Sequence, residues 1–279
     1  SMADTSEGSR CPDIIYAGSA LDNNTQYFWR ITFWDDENAQ GTVSATQNFT
    51  TATLQDESTA PWYNTNWQYR KHLRIDSSRV AGDLSNFPVL ISTIDADWKD
   101  DSQASPGHIA QIDGGDILFT DSDGTKLDHE IETYDPATGE LVAWVKVQTL
   151  SGSTDTSLYI YYGNTSLDEG ENQWNATGVW DTNYREVFHL DESSGTLYDS
   201  TTSGYTGAAA GNATQGVAGK ISKAVDFDGT TGSRVTLNDG SMAGNQTFTL
   251  SAWARADTLS GQWEGIVTKG RTLGVDLQG

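Results

Sequence analysis

The feature that most constrains this chain is a series of short runs in which aromatic and β-branched residues alternate with polar ones. Gln26 to Phe33 reads QYFWRITF, Lys71 to Ile75 reads KHLRI, and Leu141 to Val147 reads LVAWVKV. Ser157 to Tyr162 reads SLYIYY, and Thr247 to Ala254 reads TFTLSAWA. A period of two sends successive side chains to opposite faces of an extended strand. Each run is bounded by Gly, Asn, Asp or Ser, the residues that turn a chain at least cost. A helical period is almost absent. The expected fold class is all-β, as tandem antiparallel β-sandwiches.

At 279 residues the chain is long enough for two or three such domains. The single cysteine, Cys11, allows no internal disulfide, so each domain must be held by core packing. That suits an exported prokaryotic protein better than a small eukaryotic secreted module. No stretch approaches the roughly 20 apolar residues of a membrane span, so membrane insertion is not expected. The net charge of −23 repels phosphate backbones, which argues against a nucleic-acid partner. Such a charge keeps a surface hydrated at high salt, and it is compatible with divalent cations held by clustered Asp.

Two boundaries are expected. Ala52 to Pro61 (ATLQDESTAP) is polar, acidic and closed by Pro, which reads as a linker. A second step falls between Asn175 and Glu186, before the apolar run Val187-Phe188-His189-Leu190. The expected organisation is therefore 1–52, a linker at 53–61, a module at 62–180 and a last segment at 186–279.

Asp22 to Phe33 followed by Ala45 to Thr50 resembles the last strands of a fibronectin type III domain. Leu21 stands six residues before Tyr27, the spacing of a tyrosine corner; the resemblance implies a core position for Trp29 and an outward one for Arg30. In the middle segment the landmarks are Trp62 to Ile75 (WYNTNWQYRKHLRI), Phe87 to Leu90, Asp116 to Phe119, Leu127 to Ile131 and Ala143 to Val145. They close with Tyr159 to Asn164. In this order they resemble an uncharacterised module of microbial surface proteins that precedes laminin-G-like jelly rolls. Phe188 to Glu192 (FHLDE), Asp199-Ser200, Gly216 to Gly219, Ala224 to Gly229 (AVDFDG) and Phe248 to Trp253 (FTLSAW) resemble the first half of such a concanavalin-A-like jelly roll. That resemblance implies core positions for Phe188, Leu190, Phe227, Leu250, Ala252 and Trp253. Both outer segments read as half-domains, as expected of a fragment of a longer open reading frame.

Three groups of side chains are candidates for chemistry. Trp62, Tyr63, Trp67 and Tyr69 cluster near the start of the middle segment. They read either as an exposed platform for sugar rings or as packing. Asp121-Ser122-Asp123-Gly124-Thr125 has the opening of a calcium loop, with Glu132 at the twelfth position, but the stretch after it reads as a strand. A plain Asp-Gly hairpin turn is the competing reading. Asp128, Glu130 and Glu132 alternate along one strand, like the carboxylate row of retaining jelly-roll glucanases. The order of Asp and Glu differs from that family's, so the row is expected to be a solvated strand face. His189 alternates with Phe188 and Leu190 and has no Cys or His near it in sequence, so a structural histidine is expected.

No nucleophile elbow, phosphate loop or dinucleotide fingerprint occurs. The expected function is a non-catalytic extracellular adhesion or carbohydrate-binding region of a large microbial surface or secreted protein. Its partners would be polysaccharide or glycoprotein glycans and the neighbouring domains of the same polypeptide, with calcium as the one expected cofactor. The alternatives are a structural spacer and an accessory region of a polysaccharide-degrading enzyme.

Overall fold

The computed structural model describes residues 25–32, 34, 39–50, 60–102, 107–168, 170–238, 247–257 and 266–267. The chain divides into two units, Ser1–Ala60 and Pro61–Gly279. In the first, strands β1 (Gln26–Trp29) and β2 (Gln47–Thr50) pair antiparallel, with Tyr27 opposite Phe49 and their rings stacked 5.9 Å apart. Trp29 is exposed, contrary to its expected core position, because the described strands form one layer with no second sheet to cover that face. Leu21, the other half of the expected tyrosine corner, and Cys11 lie outside the described residues.

The second unit is built on two antiparallel sheets. One holds β3 (Tyr69–Ile75), β9 (Thr156–Tyr162), β5 (Leu118–Asp121) and β6 (Lys126–Leu127), in that order across the sheet. The other holds β4 (Leu84–Ile94), β8 (Glu140–Leu150) and β7 (His129–Asp135). The strand alternation read from sequence governs the core. Leu141, Ala143, Val145 and Val147 of β8 meet Leu158 and Ile160 of β9, all buried in one apolar cluster. β4 is an edge strand, which is why Pro88 is tolerated opposite Lys146. Gly139 (φ 75°) closes the β7–β8 hairpin; a Cβ there would stand 2.0 Å from the Asp95 carbonyl oxygen.

Both sheets are also covered on their outer faces. Tyr159 and Tyr161 of β9 point away from the core cluster yet are buried, Tyr161 beneath Trp62 and Tyr63. The outer face of β7 and β8 carries α1 (Ala176–Val179) and the residues that follow it. Beyond these come β10 (Thr196–Tyr198), β11 (Thr206–Ala210) and β14 (Arg234–Asn238) in one sheet. A hairpin of β12 (Thr214–Ala218) and β13 (Lys223–Asp226) stands beside it in sequence. Phe227, Leu250 and Trp253, expected in a core, are exposed, since no described layer packs over them. Phe188 and Leu190 are only half-buried, and Ala252 is exposed.

A fully buried carboxylate ties the sandwich together. Asp116 Oδ2 accepts the backbone N–H groups of Ala110 (3.0 Å), Gly163 (2.7 Å) and Asn164 (3.1 Å), and Oδ1 that of Gln111 (3.2 Å). Its backbone carbonyl accepts the indole N–H of Trp67 at 2.7 Å. Burial is the largest influence on this carboxyl and raises its pKa, against four N–H donors that favour the anion. Asp116→Ala would leave four buried donors without an acceptor. It is expected to destabilise the chain by about 3 kcal/mol or more. Urea unfolding of the full chain followed by tryptophan fluorescence would measure this; a loss below about 1 kcal/mol would contradict the assigned role.

Candidate functional site

The four aromatics flagged in the sequence part into two roles. Trp67 is 6% exposed and anchored to Asp116, so it is a core residue. Tyr63 is half-buried, with its backbone N–H on the Tyr161 hydroxyl and its ring edge-on to Trp67 at 5.5 Å. Trp62 and Tyr69 keep 42% and 38% of their surface open. Trp62 is nevertheless held: its indole N–H donates to the Trp67 carbonyl (3.1 Å), and its ring meets Tyr161 edge-on at 5.4 Å. The Arg70 guanidinium stands 4.7 Å over the Trp62 ring and 4.8 Å over Tyr159. Tyr69 stacks on Tyr162 at 5.7 Å.

Asp121-Ser122-Asp123-Gly124-Thr125 forms the hairpin turn between β5 and β6, with Phe119 opposite Leu127 and Thr120 opposite Lys126. Asp121 Oδ1 accepts the N–H groups of Asp123 (3.1 Å) and Thr125 (3.0 Å). Asp123 Oδ1 accepts the Thr125 N–H (2.9 Å) and hydroxyl (2.6 Å). Burial, then the neighbouring Asp123 carboxyl, raises the Asp121 pKa. The Thr125 hydroxyl, then Asp121, lowers that of Asp123. At Gly124 (φ 88°) a Cβ would lie 3.2 Å from Pro61 Cγ, so this turn abuts the residue that precedes Trp62. The acidic turn and the open tryptophan are thus neighbours.

Glu132 does not join them, and its placement as a third ligand of that turn is corrected here. It lies in the other sheet, where its carboxylate is committed to Trp144 and His189. Among the described residues no group of three or more His, Cys, Asp or Glu is arranged to hold a metal ion.

The carboxylate row of β7 is not a solvated face either. Glu130 stands opposite Trp144 and Ile131 opposite Ala143, and the register slips before Thr133, leaving Glu132 as the extra residue of a β-bulge. The Glu130 and Glu132 side chains are 12% and 2% exposed. Both are covered by the chain that follows α1. Glu130 Oε2 accepts the Trp180 indole N–H (2.8 Å) and lies 3.1 Å from His189 Nε2, while Oε1 accepts the Ser200 hydroxyl (2.5 Å). Glu132 Oε2 accepts the Trp144 indole N–H (2.8 Å) and lies 3.3 Å from His189 Nδ1. The imidazole stacks on Trp144 with centroids 6.0 Å apart. The two carboxylates address opposite ring nitrogens, so they share no point where a cation could sit; the group is a doubly paired histidine. Asp128 lies at the rim and accepts the Asn175 side-chain amide at 2.9 Å. The neighbouring His129 points the other way, edge-on to Phe119, where burial holds its pKa down at about 4.

Sequence reasoning flagged Glu130 and Glu132 but missed their partners. Trp180, His189 and Ser200 stand 50, 59 and 70 residues from Glu130, and no local pattern marks them.

A family model described as "Domain of unknown function (DUF2341)" matches residues 113–205. A second, described as "Rha78A-like, N-terminal immunoglobulin domain", matches residues 3–55. No curated protein and no solved structure matches the chain. The start of the chain is therefore similar to an immunoglobulin domain, and a stretch further on is similar to a domain of unknown function, a pairing that suggests a surface-protein module. The first of these matches takes in Glu130, Glu132, Trp180, His189 and Ser200 together. It runs across the step between residues 175 and 186 where the sequence suggests a boundary.

The division between core and open aromatics has a measurable consequence. Trp67→Ala is expected to cost about 3–5 kcal/mol of stability, as for a large buried aromatic. Trp62→Ala should cost about 1 kcal/mol, as for a half-open one. Thermal unfolding of both variants beside the parent chain checks the order, and equal losses would refute it.

Proposed function

We propose that this chain is a non-catalytic extracellular binding region of a large microbial surface or secreted protein, with polysaccharide or glycoprotein glycans as its ligands. The observation that carries this reading is Trp62. Its ring is 42% open, yet its indole N–H, its edge and a guanidinium over its ring are already fixed. A pre-ordered aromatic face gives up little conformational entropy when a sugar ring stacks on it. Arg70 braces that face by donating to the Pro61 carbonyl and the Tyr161 hydroxyl, both at 3.2 Å, and Tyr69 is a second half-open ring on the same stretch, set on the other face of the sheet. Calcium, as a support, belongs to the adjacent Asp121–Asp123 turn, where two carboxylates interact and the turn leans on Pro61. A non-catalytic role is supported by the commitment of Glu130 and Glu132 to indole, hydroxyl and imidazole groups. The reading of 186–279 as part of a laminin-G-like jelly roll belongs to the same proposal and is supported by its antiparallel strands.

A structural spacer is the second reading, favoured by the same commitment of buried polar groups to internal contacts. A glycan array probed with the full chain, with and without calcium, separates the two. Binding that Trp62→Ala abolishes while lowering the unfolding temperature by only a few degrees, about the shift that 1 kcal/mol produces, is the expected result. Calcium dependence that Asp121→Asn with Asp123→Asn removes would locate the ion. A folded chain that binds no glycan in either condition would turn the assignment to the spacer.

A further inference from the structure

The contacts that fasten residues 180–200 to the sheet of β4, β8 and β7 converge on one acceptor. Trp180, His189 and Ser200 all meet the carboxylate of Glu130, and the far side of the imidazole meets Glu132. Outside this group, the contacts on the same face among the described residues include one lysine, the Asp128 carboxylate that accepts the Asn175 amide, and neutral groups. Lys146 Nζ donates to the Gly178 carbonyl (2.8 Å), the Asn175 N–H donates to the His129 carbonyl (2.7 Å), and the Thr133 and Ser222 hydroxyls meet. We propose that Glu130, His189 and Glu132 form a pH-sensitive latch that holds the 180–200 segment against the sheet and loosens it as the pH rises.

The argument is one of charge in a confined space. His189 is 11% exposed, with Trp144 and Trp180 on its ring. As an imidazolium it presents an N–H to each carboxylate and brings the net charge of the trio to −1. As a neutral imidazole it keeps one N–H, turns a lone pair toward the other carboxylate, and leaves two buried anions on either side of an uncharged ring. An uncompensated buried charge is costly, whereas a paired one need not be. The titratable groups that face the imidazole are Glu130 and Glu132 from β7 and Asp191 from its own segment. β8 contributes Trp144, which does not titrate, and Lys146, which is turned to Gly178. The segment after α1 contributes Trp180, on which Tyr184 rests edge-on at 5.1 Å.

The direction follows. Burial, the largest single influence, lowers the His189 pKa. The Glu130 hydrogen bond and the charges of Glu130, Glu132 and Asp191 together outweigh it, so the net shift is upward. A folded-state value above the ordinary histidine value near 6.5 adds stability that is complete below that ordinary value. This stability disappears as the pH climbs through the raised one. At Glu130 burial, the largest influence, is exceeded by His189, Ser200 and Trp180, and the net shift is downward. Its contribution is present above the ordinary carboxylate range and is lost as the pH falls through the lowered value. Burial raises Glu132, so this carboxyl takes up a proton first on the acid side, and its contribution runs against that of Glu130: it is present at low pH and lost as the pH rises through the raised value. The latch is tightest in the mildly acid interval between Glu130 and His189.

Hydrogen exchange of the full chain, read by mass spectrometry from pH 5 to pH 9 and corrected for intrinsic base catalysis, tests this. Expected is a severalfold rise in opening of residues 187–201 above neutrality, with residues 140–150 and 156–162 unchanged. In His189→Gln the 187–201 rates should lose their pH dependence. Corrected rates that stay flat in the parent chain, or that keep their pH dependence in His189→Gln, would overturn the latch. Should that variant not fold, the imidazole C2 proton of His189 in the parent chain is followed by NMR. Titration above the ordinary histidine value supports the latch, and titration below it ends the proposal.

Discussion

The sandwich depends on one buried anion placed where backbone N–H groups have no strand to pair with. Residues 110–111, which precede β5, and 163–164, which follow β9, meet at one end of the first sheet, and a buried amide without an acceptor is among the more expensive defects a fold can carry. Asp116 answers four of them with one side chain, while its carbonyl takes the Trp67 indole. Because Trp67 in turn offers its carbonyl to Trp62, the position of the open tryptophan is set from inside the core. A residue with no role in ligand contact thus decides the geometry of the face proposed to make that contact.

The second polar centre works by a different device. A straight continuation of β7 would have kept strict alternation, and the bulge at Glu132 changes the pleat just where two carboxylates must flank one imidazole. Trp144 and Trp180 each cap one carboxylate with an indole N–H and enclose the imidazole with their faces. The combination makes one closed polar network between the sheet and the chain that follows α1. That network lies wholly within residues 113–205, the span of the family match.

Much of the fold was legible because strand alternation is a local property. The runs 141–147 and 157–162 became β8 and β9 with Leu141, Val145, Leu158 and Ile160 turned inward, as a period of two requires. The polar network was not legible for the converse reason. Glu130 and Glu132 look like a solvated row when read along the strand, since alternation says which side a residue faces but not what will cover that side. The layer that covers them arrives 50 to 70 residues later through Trp180, His189 and Ser200. The aromatic cluster shows the same limit at short range. Trp62 and Trp67 are near neighbours of one type in the sequence, yet the buried one reaches the Asp116 carbonyl while the open one reaches only as far as the Trp67 carbonyl. In the last segment, resemblance placed Phe227 and Trp253 in a core, but a side chain is buried only when a second layer is there to meet it.

The register of β3 and β9 carries one more consequence. Tyr69 stands opposite Tyr162, so the first residue of one strand and the last of the other lie side by side at one end of the sheet. Traction applied at those two points peels the strands apart, loading each backbone hydrogen bond in turn, where a pull from opposite ends would shear all of them at once. Their stacked rings, 5.7 Å apart, are the first contact such a force meets.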